Sequence, residues 1–160
     1  MIAKLIVEGK EFDIEILDPK LQELLTPKKK TGYERVDMGK TFYSVRADGT
    51  VFEPSENRCD VHKVYYEIAN YHSSKDLAED NARADTLMRQ LRRFAVESRT
   101  KDNPAEKYYI HWVKHVGLQV MRSTDKHFGP WFDTLHNAVQ AIKTFQDDLT
   151  WYFVEYRDSL

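Results

Sequence analysis

Apolar residues between Ser73 and Arg99 recur at steps of three and four positions, and this is the longest such run in the chain. In a helix of about 3.6 residues per turn, this spacing places them along one side. The stripe consists of Leu77, Ala84, Leu87, Met88, Leu91, Phe94 and Ala95. Ser73 and Asp76 match a capping box at the start of the run. The pattern predicts one long helix, against which neighbouring strands would bury their apolar faces.

The N-terminal segment follows a two-residue period, which is typical of a strand with one apolar and one polar face. Its alternating residues are Phe12, Asp13, Ile14, Glu15 and Ile16. We predict a hairpin over residues 4–17 that turns at Gly9, where a positive φ is tolerated. A short helix is expected to follow, with Asp18 as its N-cap and Pro19 as its first residue.

The stretch from Thr41 to Glu53 predicts a second hairpin, because two apolar runs flank the dipeptide Asp48-Gly49. This dipeptide is typical of a two-residue type I′ turn. Such a turn would place Val45 on the same face of the hairpin as Phe52.

The same two periods predict further elements of both kinds. The expected strands are Lys63 to Tyr71, Tyr108 to Val113, Leu118 to Met121 and Trp151 to Tyr156. A second helix is expected from Asp133 to Gln146.

Two segments resemble each other at the point where a strand leads into a helix. Residues 70–74, Asn-Tyr-His-Ser-Ser, align with residues 130–134, Pro-Trp-Phe-Asp-Thr, and Ala78 aligns with Ala138. We therefore predict an α+β fold of two degenerate antiparallel sheet-helix units, each ββα-like, behind an N-terminal β-hairpin and short helix. The predicted boundaries are 1–26 for the hairpin and short helix, 27–40 for a linker, 41–99 for the first unit and 105–160 for the second.

Composition narrows the class of protein without naming a partner. The net charge is -2, from 24 basic and 26 acidic residues, which gives neither the basic excess of a nucleic-acid binder nor the acidity of a DNA mimic. A single cysteine excludes an intramolecular disulfide and favours the cytoplasm. Charged residues interrupt the apolar N-terminus, so we expect neither a signal peptide nor a membrane span.

Cys59 and His62 have the spacing of metal ligands, and His72 lies further along the chain. A structural zinc site usually has four ligands with paired spacing. These three residues are therefore weak candidates, and we expect no metal or other cofactor. The sequence also lacks a G-x-S-x-G nucleophile elbow and glycine-rich phosphate loops, so no catalytic residue is predicted and the chain is expected not to be an enzyme.

Charged residues on the predicted long helix allow two interpretations. Asp76, Glu79, Asp80 and Arg83 either form a solvated face or offer charge to a partner with a basic groove, where complementary charge speeds encounter.

Three consecutive lysines, Lys28, Lys29 and Lys30, also have two interpretations. They belong to a solvated linker, or they contact a phosphate backbone or another partner.

Several motifs together resemble a group of small accessory proteins encoded by bacteriophages and prophages. The motifs are Lys29 to Val36, Gly39, Phe42-Tyr43, Val45, Asp48-Gly49, Val51, Tyr66 to Tyr71, and Leu91 with Phe94. Some proteins of this type are anti-CRISPR proteins that bind the effector nuclease of type II systems. The resemblance implies a non-enzymatic inhibitor that binds this RNA-guided nuclease, with its guide RNA, in the cytoplasm of the host bacterium. It would block the loading or the cleavage of target DNA.

Two other functions remain open from the sequence. One is a metal-dependent nuclease or hydrolase that uses the histidines together with Cys59. The other is a nucleic-acid-binding phage regulator that uses Lys28, Lys29 and Lys30.

Overall fold

The computed structural model describes residues 2–7, 10–20, 30–100, 104–124 and 129–156. These residues form helices and antiparallel strands, which confirms the predicted α+β class. The chain divides into two compact units, residues 1–31 and residues 32–160. No helix in the described ranges is long and apolar enough to cross a membrane.

The first unit contains the predicted N-terminal hairpin. Strand β1 (Ile2–Val7) pairs antiparallel with β2 (Lys10–Glu15), and Val7 lies opposite Lys10. The two residues between the strands are outside the described residues. Asp18 accepts a hydrogen bond of 2.8 Å from the backbone N–H of Lys20, as expected for an N-cap. The rest of the predicted short helix, beyond Lys20, also lies outside the described residues.

The second unit begins with a short hairpin of β3 (Ser44–Val45) and β4 (Val51–Phe52). Its turn is one residue longer than predicted, because the N–H of Arg46 bonds the carbonyl of Thr50 at 2.8 Å and Gly49 alone has a positive φ, of 87°. A type I′ turn needs two such residues. The pairing is therefore Val45 with Val51, so the prediction that Val45 shares a face with Phe52 is wrong.

The prediction of a strand from Lys63 to Tyr71 is wrong, since most of this stretch is in helix α1 (Asp60–Glu67). Its apolar residues fit both periods, as alternation at Val64, Tyr66 and Ile68 and as helical steps at Val61, Val64 and Ile68. Hydrogen bonds at the helix ends decide between the two. Before the helix, Asn57 Oδ1 accepts from the N–H of Cys59 at 3.1 Å. At its end the C-cap Ile68 donates its N–H to the Val64 carbonyl at 3.0 Å.

Helix α2 (Lys75–Glu97) confirms the predicted long helix. Its N-cap is Ser74 rather than the predicted Ser73, because Ser74 Oγ accepts from the N–H of Leu77 at 3.4 Å. Ser73 instead donates its N–H to the Gly32 carbonyl at 2.7 Å and its hydroxyl to Glu34 at 3.1 Å.

Strand β5 (Lys107–Val113) pairs antiparallel with β6 (Gly117–Ser123), as predicted. Helix α3 (Leu135–Thr144) then leads into α4 (Gln146–Trp151) and a π-helical turn (Tyr152–Tyr156). The final strand predicted over Trp151 to Tyr156 is therefore wrong. Aromatic residues favour strands, but here Tyr152 and Tyr156 are four residues apart and stack on each other at 5.4 Å, a contact that helical spacing provides.

Helix α2 packs against elements on more than one side. It contacts β3 and β4, where a Cβ atom on Gly49 would come within 3.1 Å of Thr86 Oγ1. The main core cluster lies between its C-terminal half and the last elements of the chain, and contains Leu87, Leu91, Ala95, Phe132, Ala138, Ala141 and Leu149. The C-terminal part of the apolar stripe thus packs on the second sheet-helix group, which the sequence did not predict, while the same helix also contacts the hairpin of the first group.

The predicted repeat has a clear geometric basis. His72 forms an antiparallel bridge with Tyr43, and Phe132 forms the same bridge with Tyr108. Two residues after each bridge comes a capping hydroxyl, Ser74 or Thr134, which accepts a backbone N–H three residues on. The aligned Ala78 and Ala138 are both fully buried. Each helix therefore starts at a fixed distance from its own hairpin.

Candidate functional site

Glu56 is the most deeply buried carboxylate in the described chain, with 1% of its surface exposed. Its oxygens accept hydrogen bonds from Arg35 Nε at 3.1 Å, Tyr71 Oη at 2.7 Å and the backbone N–H of Arg58 at 2.6 Å. His62 Nδ1 lies 3.3 Å from Glu56 Oε1. We call these residues the Glu56 cluster.

The electrostatics of the cluster favour an ionised Glu56. Burial raises the pKa of its carboxyl, but hydrogen bonds from Arg35, Tyr71, Arg58 and His62 outweigh burial and hold that pKa at about 2. Burial and the bond to Glu56 raise the pKa of Tyr71 to about 12. At neutral pH the cluster is therefore a carboxylate with a neutral phenol and a guanidinium group.

The Glu56 cluster joins four parts of the chain that are distant in sequence. Tyr71 Oη also accepts the N–H of Val36 at 3.2 Å, and the Tyr71 ring stacks on Phe42 at 4.0 Å. His62 brings helix α1 to the same point, with its ring 4.8 Å from Phe42. The cluster thus fixes α1 against the hairpin, and it ties residues of the predicted linker, Arg35 and Val36, into the second unit.

The three metal candidates do not form a ligand set. His62 belongs to the Glu56 cluster, Cys59 precedes α1 without a side-chain capping bond, and His72 packs edge-on to Tyr33 at 5.2 Å. Among the residues that the structure describes, no group of three or more His, Cys, Asp or Glu side chains is placed to hold a metal ion.

The charged residues predicted for partner binding lie on the first three turns of α2. Asp76 and Glu79 are exposed and Asp80 is half-buried. Arg83 is engaged within the protein, with Nη2 2.8 Å from Asp148 Oδ1 and its guanidinium 4.0 Å from the Trp151 ring centre. Arg83 therefore holds α2 to α4.

A groove of about 530 Å³ runs along this part of α2. Glu79 and Arg83 line it, together with Lys75, whose Nζ is 2.9 Å from Glu53 and 4.0 Å from Glu79. The charges in this groove are thus largely paired with each other.

Of the three lysines predicted to contact a partner, Lys28 and Lys29 lie outside the described residues. Lys30 belongs to the first unit and is exposed. The possible role of these lysines stays a prediction.

The outer face of α1 is a feature that the sequence analysis missed, because this stretch was assigned to a strand. Val61, Val64 and Ile68 are spaced to share one side of the helix, and they are 56%, 50% and 62% exposed. Tyr66 is 44% exposed on the same helix. We call Val61, Val64 and Ile68 the α1 apolar face. Three large aliphatic side chains in line are more than the scattered apolar residues of an ordinary surface.

Comparison of the chain with protein-family models, with curated protein sequences and with solved structures gives no match.

Proposed function

We propose that this chain is a non-enzymatic binding protein that docks on another protein through the α1 apolar face. We further propose that its partner is the guide-RNA-loaded effector nuclease of a type II CRISPR system, so that binding blocks the loading or cleavage of target DNA. The exposed face of α1 carries the first proposal. The resemblance to phage-encoded accessory proteins supports the choice of partner.

The α1 apolar face has the properties of a preorganised docking element. Fully burying an exposed Val or Ile side chain contributes about 1.5–3 kcal/mol. Because these three side chains are 50–62% exposed, docking would gain roughly half of that for each, which offsets part of the cost of association. The Glu56 cluster holds the opposite side of α1 through His62, which is 8% exposed. The helix therefore loses little conformational freedom on binding.

Asp76 and Glu79 supply a second element of recognition. Both carboxylates are exposed at the start of α2, where Asp76 belongs to the first turn. RNA-guided nucleases hold their nucleic acids in positively charged channels. If they face the partner, these carboxylates would accelerate association with such a channel in a salt-dependent way.

A combined binding and cleavage assay tests both parts of the proposal. Purified guide-loaded nuclease is mixed with the wild-type chain or with Val64→Asp or Ile68→Asp, and complex formation and cleavage of target DNA are measured. We expect the wild-type chain to form a stoichiometric complex and inhibit cleavage, and each variant to weaken both effects at least about tenfold, since a charge would be buried at the interface.

Val96→Asp is the matched control. Val96 is 62% exposed on α2, so the substitution adds the same charge at an equally exposed helical position. It is expected to inhibit like the wild-type chain. A wild-type chain that neither binds nor inhibits the nuclease would refute the choice of partner, and equal inhibition by all three variants would refute docking through α1.

A further inference from the structure

A second cavity, of about 540 Å³, lies on another side of α2 from the groove that Lys75, Glu79 and Arg83 line. We call that first groove the paired groove. Residues from the β3–β4 hairpin, from the segment after α1, from α2 and from the π-helical turn line it. This volume is within the range of about 300–1,000 Å³ that is typical of small-molecule sites.

The interior of this cavity is fixed by hydrogen bonds. Asn81 connects two tyrosines, since its Nδ2 donates to Tyr33 Oη at 2.8 Å and its Oδ1 accepts from Tyr156 Oη at 2.8 Å. Asn70 holds the wall through two bonds of 2.8 Å to the backbone of Val45. These polar groups are therefore held in position before any ligand binds.

His72 lines the same cavity and is only 1% exposed. Its Nδ1 has no hydrogen-bond partner in the described part of the protein. Burial lowers the pKa of His72, so its imidazole is neutral at pH 7. A buried polar atom without a partner is uncommon, because it costs about 1–3 kcal/mol. His72 Nδ1 therefore remains an unsatisfied acceptor in the wall of the cavity, out of direct reach of solvent.

Two arginines line the cavity, and their guanidinium groups are held mainly by neutral contacts. Arg46 lies with its guanidinium 4.8 Å from the Phe52 ring centre, and Arg89 donates to the Ala47 carbonyl and to Thr86 Oγ1, each at 3.3 Å. In the ranges that the structure describes, neither guanidinium forms an ion pair. Asp85 also lines the cavity, so its charged lining is two guanidinium groups against one carboxylate.

We propose that this cavity binds a small organic anion, with its carboxylate or phosphate group on Arg46 and Arg89 and its polar body against Asn81. A guanidinium group that is held only by neutral contacts keeps N–H donors available, and carboxylate and phosphate oxygens accept such donors strongly. The paired groove lacks this property, because Lys75 and Arg83 already have carboxylate partners.

Titration of the ¹⁵N-labelled full chain with inorganic phosphate and with citrate, followed by NMR, tests the proposal. At constant ionic strength set with sodium chloride, we expect saturable shifts of the amide signals of Arg46, Asn70 and Asn81. Phosphate and citrate distinguish the two kinds of anionic group.

Arg46→Ala and Arg89→Ala are each expected to weaken binding about tenfold, the effect of losing one charge-assisted hydrogen bond. Arg92→Ala is the control, since Arg92 is exposed on the same helix and does not line the cavity. Arg46 is itself exposed, so its variant remains informative if Arg89→Ala does not fold. Absence of saturable shifts at about 20 mM of either anion, a concentration at which millimolar sites are occupied, would overturn the proposal. Equal weakening by Arg92→Ala would overturn it as well.

Discussion

Glu56 carries a negative charge at a position from which water is almost excluded. Removing one partner of a buried ion pair leaves the other without compensation. We therefore expect Glu56→Gln to lower the free energy of unfolding by about 3 kcal/mol, measured by urea denaturation at pH 7. Glu53→Gln is the control, because Glu53 pairs with Lys75 at an exposed position and such pairs are screened by solvent. An equal loss in both variants would contradict the assigned role of Glu56.

The pKa of Glu56 also predicts how stability depends on pH. Its value falls from 4.5 to about 2 on folding. A lowered carboxyl pKa stabilises the protein above the unfolded value, and this stabilisation is lost as the pH falls through the folded value. The difference in unfolding free energy between the wild-type chain and Glu56→Gln should therefore fall, by an amount on the order of 3 kcal/mol, between about pH 5 and pH 2. A difference that stays constant over this range would contradict the prediction.

At the scale of single residues, the Glu56 cluster could not be predicted from the sequence. Glu56 is 21 positions from Arg35 and 15 from Tyr71, so no local spacing joins the three side chains. The loop Pro-Ser-Glu-Asn around Glu56 resembles an ordinary polar connection. His62 was noted in the sequence only for its spacing from Cys59, whereas in the structure it contacts Glu56, Phe42 and the backbone N–H of Asn57.

Helix α1 ends in a hydrogen-bonded motif that usually contains glycine. The N–H of Asn70 bonds the carbonyl of Tyr65 at 2.8 Å, and the N–H of Ala69 bonds that of Tyr66 at 3.2 Å. This is a Schellman motif, in which the residue at the position of Ala69 adopts a left-handed conformation. Ala69 has φ of 57°, which costs a residue with a Cβ atom about 1–2 kcal/mol.

Ala69→Gly should therefore stabilise the protein by about 0.5–1 kcal/mol, because relief of this strain exceeds the added entropy of the unfolded chain. Thermal and urea denaturation measure the change. Ala82→Gly is the control with the opposite expected sign, since Ala82 is buried within α2, where glycine costs about 1 kcal/mol relative to alanine. Destabilisation by Ala69→Gly would show that the left-handed residue is not strained.

Some helices and turns could be predicted from the spacing of apolar residues in the sequence, and others could not. The long stripe of α2 extends over seven apolar positions, and only a helix satisfies all of them. The eight residues of α1 fit two periods, and their choice depends on Asn57 before the helix and Ala69 after it. The predicted length of the β3–β4 turn was wrong for a related reason, because Gly49 supports a three-residue loop as well as a two-residue one.

At the scale of the second unit, one helix serves both sheet-helix groups. Leu91 is 2% exposed and belongs to the core that α2 forms with the last elements of the chain, while α2 also packs on β3 and β4. We expect Leu91→Ala to cost about 3 kcal/mol. Because the helix is shared, hydrogen exchange should show β3–β4 and β5–β6 losing protection together. Loss of protection in β5–β6 alone would show that the two groups open independently.

The α+β class and the repeat were accessible from the sequence because the aligned segments 70–74 and 130–134 have matching roles in bridge and cap. The α1 apolar face and the cavity beside Arg46 were not accessible. Both depend on which surfaces remain uncovered once the elements have packed. Neither the net charge nor the spacing of apolar residues along the sequence predicts which surfaces these are.

The equal spacing between bridge and cap has a consequence for engineering and for divergence of this fold. His72 precedes Ser74 by two positions, as Phe132 precedes Thr134. One inserted residue between them would turn the following helix by about 100° about its axis. Lengthening either connection would thus rotate buried alanines such as Ala78 or Ala138 away from their neighbours and bring bulkier side chains inward. The length of each one-residue connector therefore sets the rotational phase of the helix that follows it.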